Sequence, residues 1–499
     1  MRINSSIGIE RLRRPSFEAS APNIHRQRMR AILVAALLIV AFALWLGLEA
    51  PRGIMSGTDE LLTAERTREM LMTEPWVVHY NFHRSFEKPP LQYWLTSLTL
   101  SRFENRAVAV RIWPLLFGAL TAAAVGWMVF LIKPNEPWLI PLSVAILVSA
   151  PLFTAESARG LLDIGLTFFA TLTFVFGALA RKQPAWWFAV ALACWLGSLQ
   201  KIPLPFLVWV LIIVVRLTNR DERVALRNGI GWLTGSMLFA IAAMSIWPLL
   251  QFIKYQMPVA SLFHEEVVVW LGPTELGRKR YFEIPIAMCL AGGLCGFLSL
   301  LAPFVILLSR KEPPSIAVRE IALVSLGFIA LAIVSNFRLV RYVIPVVPVL
   351  CFLVALCFYR FLKQAPPIRK WVIAALTVLL SAGLLQAKIQ IDVRRKNVAD
   401  EKVIAEKLGA LQQQGTKTVL IKAIKPGNDL MWDSFYLFHG NFRFPFSKYT
   451  VDEIRAAAPK PPLIGACVAR DFPAVKDLYP DVKVRLTRAQ FICWEVPAR

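Results

Sequence analysis

The residues able to do chemistry in this 499-residue chain are carboxylates and cations set at the edges of apolar runs. Asp59 and Glu60 open a long polar interval in SGTDELLTAERT, and Glu87 and Lys88 close it in FEKPPLQYW. A carboxylate so placed can take a proton from an attacking hydroxyl, and a cation beside it can hold the charge that develops on a phosphate leaving group. Asp163 starts an apolar run in ESARGLLDIGLTFF, one helical turn after Arg159. A purely structural Arg–Asp pair is the alternative there. Lys201 separates two apolar runs in LGSLQKIPLPF, where Pro203 and Pro205 break the helix and leave an ammonium suited to phosphate, or a lysine reaching for the interface. Arg341 and Tyr342 open RYVIPVVPVL; they offer a two-pronged phosphate clamp with an added hydroxyl, or an interfacial anchor. His264, in SLFHEEVVVW, stands beside two glutamates and could ligate a divalent ion, act as a base, or be a polar loop residue.

The elements that must position these groups follow from local pattern. Thr58 reads as a helix N-cap, with Asp59 and Glu60 in the first turn, where the helix dipole favours carboxylates. That helix is predicted to end near Met72, with Leu61, Leu62, Ala64, Met70 and Leu71 free to lie against a membrane or a neighbouring helix. Pro89-Pro90 stops the chain and starts a new helix at LQYWLTSLTL, so Glu87 and Lys88 are expected at the mouth of a helix bundle facing Asp59.

With 56% hydrophobic and 18% charged residues and a mean hydropathy of +0.53, the chain is a polytopic α-helical membrane protein. Apolar runs near 31–48, 108–132, 136–153, 161–180, 184–199, 202–217, 229–250, 284–308, 317–336, 340–361 and 370–388 predict about eleven spans. They divide the chain into a basic cytoplasmic tail (1–30), a transmembrane region (31–388) with a long first loop (50–107), and a C-terminal part (389–499). A cleaved signal peptide is a poor match for 1–48, whose polar tail is long and has no small-residue cleavage site. The net charge of +23 is scattered over short loops and a tail, with no basic stripe among exposed aromatics. That favours a bilayer and phosphate-bearing lipid over nucleic acid. Short-loop arginines and lysines near 181, 216–227, 310–319 and 360–370 place those loops in the cytoplasm, and the candidate site residues collect on the opposite face. Residues 389–499 alternate helix and strand patterns, with strands at TVLIKAI, LIGACVA, VKVRL and QFICWEV, and predict a small α/β domain on that same far side. Its two cysteines, Cys467 and Cys493, are either a disulfide in an oxidising compartment or two buried thiols.

An acidic pair in the first loop followed by EKPPLQYW resembles the GT-C glycosyltransferases related to protein O-mannosyltransferases, above all the bacterial branch that includes the lipid A aminoarabinose transferase. ARGLLD, QKIP, the His/Glu loop and RYVIPVVPVL follow in the family's order, so the resemblance spans roughly residues 30–362. It implies a polyprenyl-phosphate-linked sugar donor, an active site and C-terminus on the outer face of the cytoplasmic (inner) membrane, and an envelope acceptor: lipid A or core sugars, another glycan, or protein. It further implies Asp59 as general base, with Glu60 completing the acidic pair. Lys88, Lys201, Arg341 and Tyr342 would hold the donor phosphate, and Asp163 would shape the cavity. Glu87 and His264 are the implied ligands of a divalent metal ion (Zn, or Mg/Mn). His264 matches the family's histidine only after a one-residue shift that otherwise puts Glu265 there, and Trp270 stands where relatives often have arginine. A transporter or flippase of a lipid-linked or anionic substrate is the rival function, but the paired broken helices of an inverted repeat are not evident. An O-antigen ligase or polymerase would place its catalytic residues in a late loop, whereas here the richest loop is the first.

Overall fold

The computed structural model describes residues 21–256, 283–310, 312–334, 340–364, 368–393, 398–421 and 429–498. His264, Glu265, Glu266 and Trp270 lie outside the described residues. Helix α1 (Ala21–Glu49) begins ten residues before the tail was expected to end, and Arg28 Nε donates to the Pro134 carbonyl at 3.0 Å. Helix α2 (Thr58–Met72) has the predicted extent, but its N-cap is Gly57, not Thr58. A Cβ at Gly57 would lie 2.9 Å from the Arg159 guanidinium, so glycine admits that close approach. A two-residue hairpin, β1 (His79–Tyr80) and β2 (His83–Arg84), was not foreseen; its turn residues Asn81 and Phe82 both have positive φ. Helix α3 (Leu91–Leu100) starts directly after Pro90, as the proline pair predicts.

The membrane bundle continues with α4 (Arg106–Ile132), which Asn105 caps by accepting from the N–H groups of Ala107 and Val108. Helices α5 (Leu139–Ser149) and α6 (Pro151–Ser157) meet at a 68° bend, where Pro151 opens the second helix. There follow α7 (Asp163–Ala180), α8 (Trp187–Gln200), α9 (Leu204–Leu217), the amphipathic α10 (Arg220–Asn228), α11 (Ile230–Tyr255), α12 (Glu283–Leu307) and α13 (Ile316–Val334). A 3₁₀ segment at Val340–Val346 leads into α14 (Val347–Gln364), and α15 (Arg369–Val393) closes the bundle. Every predicted run contains a helix. Eight of the described helices are long and apolar enough to cross a membrane, or nine with the bent pair as one span. Helices α8 and α9 have 14 residues each and fall short of a full span, so the expected count of about eleven is not reached by length alone among the described residues. Val343 to Leu356 is buried on all sides and forms the middle of the bundle.

The C-terminal part consists of α16 (Ala399–Leu411), β3 (Lys417–Ile421), α17 (Asp429–His439), β4 (Phe446–Tyr449), α18 (Val451–Ala457), β5 (Leu463–Val468), α19 (Phe472–Leu478), β6 (Lys483–Arg488) and β7 (Phe491–Val496). The sheet order is β4-β3-β5-β7-β6, with β3 parallel to both its neighbours and β7 antiparallel to both of its own. Strand β4 and helix α19 were missed; β4 is a four-residue edge strand, FSKY, with two exposed positions and no alternation to read. One sheet face packs Leu420, Ile464, Ala466 and Cys493 against α16 and α17, and through them against Met55, Leu61 and Ala64 of the first loop. Leu61 and Ala64 therefore face the C-terminal domain, while Leu71 stays exposed. The opposite face packs Ile421, Cys467, Ile492 and Trp494 against Ile454 and Val475. Cys467 pairs in register with Ile492, and Cys493 with Ala466, so the two thiols point to opposite faces of the sheet. Both are free, and the disulfide alternative is ruled out by that register.

Candidate active site

Helix α2 is held on three sides, and its heptad spacing decides which residue meets which partner. Toward the bundle, Asp59 forms an ion pair with Arg341 from the 3₁₀ segment. Seven residues on, along the same face, buried Arg66 pairs with Glu87. On the adjoining face Glu60 is buried and takes both Nε and Nη2 of Arg111 at 2.7 and 3.1 Å, and its Oε1 also accepts the Gly160 N–H at 3.1 Å. Toward the C-terminal domain, Arg68 is held by Glu65 and donates to the Phe442 carbonyl at 2.8 Å. Glu69 accepts the N–H groups of Asn81 and Phe82 at 2.9 and 2.7 Å, and so fixes the positive-φ turn that leads to Glu87.

The other half of the site is made by broken helix ends. Asp163 is the first residue of α7, and Lys201 is the residue on which α8 stops before Pro203. Lys201 Nζ lies 2.6 Å from Asp163 Oδ1, and both side chains are buried. The Tyr342 ring sits between two cations, 5.1 Å from Lys201 Nζ and 5.8 Å from Arg341 Cζ. Asp59, Arg341, Tyr342, Lys201 and Asp163 thus form one continuous chain of contacts, with a carboxylate at each end and two cations sharing one aromatic ring, across four elements remote in sequence.

The structure joins five of the predicted residues and redistributes the rest. Asp163 is paired with Lys201, and Arg159 turns instead to Glu156 at 3.3 Å, so the expected Arg159–Asp163 pair is not formed. Glu60 pairs with Arg111, and of the cations around Asp59 it shares only the charge of Arg159. Glu87 carries a guanidinium partner, its side chain 62% exposed, and Lys88 follows it at the Pro-Pro turn. Among the described residues no group of three or more His, Cys, Asp or Glu side chains could hold a metal ion, so Glu87 and its surroundings do not by themselves fit one. Sequence reasoning missed Arg66 and Arg111. Arg66 could have been found by stepping seven residues along the face of Asp59, and Arg111 as the lone cation inside the apolar stretch AVAVRIWP.

Burial pushes the Asp59 carboxyl up, but the charge and hydrogen bond of Arg341, with the charges of Lys201 and Arg159, outweigh it and hold the group below its ordinary range. For Glu60, burial is likewise overcome by Arg111, Arg159 and the Gly160 N–H. The Nε atoms of Arg66 and Arg341 are buried donors without a hydrogen-bond partner among the described residues. Such unspent donors beside paired cations suit an anion with several oxygens. A cleft of about 310 Å³, its opening to solvent included, is lined by Ser56, Gly57, Glu60, Arg111 and Arg159.

Residues 60–257 match the dolichyl-phosphate-mannose-protein mannosyltransferase family. The chain is 27% identical over 214 residues to undecaprenyl phosphate-alpha-4-amino-4-deoxy-L-arabinose arabinosyl transferase 1 of Pseudomonas fluorescens, a match covering 40% of this chain and 38% of that protein. It is 30% identical over 174 residues to the corresponding transferase of Yersinia pestis, covering 34% of this chain and 31% of that one. The chain thus spans about a third of the length of these relatives. ArnT from Cupriavidus metallidurans bound to undecaprenyl phosphate has a similar structure, with TM-score 0.68 and 16% identity over 92% of this chain and 97% of that one. The Archaeoglobus fulgidus oligosaccharyltransferase is more distant, at TM-score 0.54 and 11% identity over 81% of this chain and 64% of that one. This is a multi-pass membrane protein whose fold is shared with ArnT, and its segment 60–257 carries the match to the mannosyltransferase family.

Proposed function

We propose that the protein transfers a sugar from a polyprenyl-phosphate donor to a hydroxyl-bearing envelope acceptor, at the outer face of the cytoplasmic membrane. The acceptor class is a lipid A or core sugar, another glycan, or a protein. The observation that carries this is the Asp59–Arg341 pair, with Tyr342 bridging to Lys201 and Asp163. A carboxylate clamped by a guanidinium is a weak base. When a donor phosphate takes the Arg341 guanidinium, Asp59 loses its main counter-ion and its affinity for a proton rises. Asp59 then accepts the acceptor hydroxyl proton as that oxygen bonds to the anomeric carbon. The bond from the anomeric carbon to the phosphate oxygen breaks, and the polyprenyl phosphate leaves with the electron pair. Lys201, Arg341 and the Tyr342 hydroxyl offset the added negative charge, with Lys88 at the mouth. Glu60 and Asp163 act as positioning carboxylates, through Arg111 and Lys201. Glu87 and His264 are the pair offered to a divalent ion. Glu87 also holds Arg66, so an ion bound there would compete with that guanidinium.

Purified protein incubated with radiolabelled polyprenyl-phosphate sugars and envelope lipid should release polyprenyl phosphate and label the acceptor. Uptake of the intact donor across liposomes with no release of lipid phosphate would favour a flippase and overturn the transferase.

A further inference from the structure

Three of the motif segments meet at one buried amide pair that the proposed chemistry does not use. Gln200 is the last residue of α8, immediately before Lys201, and Gln92 lies in the first turn of α3, four residues after Lys88. Both are fully buried. Gln200 Nε2 donates to Gln92 Oε1 at 2.8 Å and to the carbonyl of Leu162, the residue before Asp163, at 3.1 Å. Gln92 Nε2 in turn donates to Thr96 Oγ1 at 3.3 Å. The amide of Gln200 also presses against the first turn of α7: a Cβ added at Gly165 would lie 2.4 Å from Nε2.

A primary amide inside an apolar bundle is costly unless its position matters, and here Gln200 Oε1 is buried with no hydrogen-bond partner among the described residues. Two leucines of similar volume would fill the space more cheaply, so packing alone does not account for the pair. What the pair does is geometric. One side chain fixes the distance between the helix ends that carry Lys88, Asp163 and Lys201, and any slip of α8 against α7 would separate the Lys201 ammonium from Asp163 and from the Tyr342 ring.

We infer that Gln92 and Gln200 are a positioning pair that sets the Lys201–Asp163–Tyr342 geometry for the donor's phosphate. This rests on the phosphate site proposed above. The test uses the full detergent-purified chain, radiolabelled undecaprenyl phosphate as the probe, and thermal unfolding in parallel. Gln200→Leu and Gln92→Leu should each weaken binding about tenfold, the scale of a lost buried hydrogen bond. The double variant should be no weaker than Gln200→Leu alone, because the link to Gln92 is already gone in that variant. Gly165→Ala should give a similar loss, since the added methyl displaces the flexible amide and not the helix backbone. Unfolding midpoints should stay near wild type. Wild-type affinity in either Gln variant, about a hundredfold loss in the double variant, or affinity that falls only in step with the midpoint would overturn the inference. Should Gln200→Leu fail to fold, unchanged affinity in Gly165→Ala decides against it. Lys201→Ala separates the two levels. If it binds undecaprenyl phosphate like wild type, the phosphate site itself is wrong; if it binds weakly while the Gln variants bind normally, only the positioning pair is wrong.

Discussion

Asp59 and Arg341 stand 282 positions apart in the chain and share an ion pair at the mouth of the bundle, where α2 crosses the 3₁₀ entry to α14. The pair explains how a carboxylate near a membrane face stays ionised at rest, and it puts the proposed base beside the proposed phosphate clamp. Asp59→Asn keeps the shape and removes the base. Turnover should fall by about 10²–10⁴, with undecaprenyl phosphate binding retained or tightened because Arg341 is released. Single-turnover transfer assays with parallel binding measurements check this; near-normal turnover would remove Asp59 from the mechanism.

The Lys201–Asp163 pair separates folding from function. Removing one partner of a buried ion pair strands the other, so Asp163→Leu or Lys201→Met should each cost about 3–5 kcal/mol of stability. The double change Asp163→Leu/Lys201→Met should recover most of that loss, yet remain inactive for want of the ammonium. Thermal unfolding and transfer assays on all three variants check it. An active double variant would reduce the pair to a structural strut.

Much of this was legible in the sequence where one local rule decided the outcome. Pro89-Pro90 fixed the start of α3, TDELLTAERTREMLM fixed α2, and the Pro203 break left Lys201 at a helix end. Partner choice was not legible. Arg159 lies one turn from Asp163 in sequence, but the chain turns at Ala158–Leu162 between them, so helical spacing does not apply and Lys201 takes the carboxylate instead. Arg111 claims Glu60 only because α4 packs beside α2, a fact of tertiary structure. The hairpin at 79–84 is too short to show a period, and it depends on Glu69 receiving its two turn N–H groups.

Glu69 also makes stability depend on pH. Burial first, and then the neighbouring Glu65 carboxylate, push its carboxyl up to about 8 from an ordinary 4.5. The folded chain therefore binds more protons than the unfolded chain between pH 4.5 and 8. This contribution to stability is present in full below 4.5, declines as pH rises, and is gone by about 8. Glu69→Gln should flatten that part of the profile. Unfolding midpoints from pH 5 to 8.5 for both proteins check it, and an unchanged slope in the variant would assign the effect elsewhere.

Sidedness follows from the opposite ends of α7. Asp163 begins that helix at the site, and Arg181 follows its far end, where it joins Glu222, Arg216 and Glu320 in a buried ion-pair network. If the site is extracytoplasmic, a cysteine at exposed Glu87 should react with an impermeant thiol reagent in intact spheroplasts, and one at exposed Lys182 should react only after the membrane is opened. Both are placed in a background lacking the native cysteines. The reverse pattern would invert the topology.

Cys467 and Cys493 give the last expectation, because strand register overrides what spacing allowed. They sit on neighbouring antiparallel strands, close enough for a bridge to be imagined, but each is opposite a different partner and they face different hydrophobic layers. Burial holds both thiols up at about 12, so neither is a ready thiolate. Reaction with an alkylating reagent should be slow in the folded protein and complete at both positions after denaturation without reductant. The C-terminal domain should melt at the same temperature with and without reducing agent. Mass spectrometry of unreduced peptides checks the pairing: a crosslinked Cys467–Cys493 peptide would require β5 and β7 to shift by one residue, and every side chain of the shifted strand would change face.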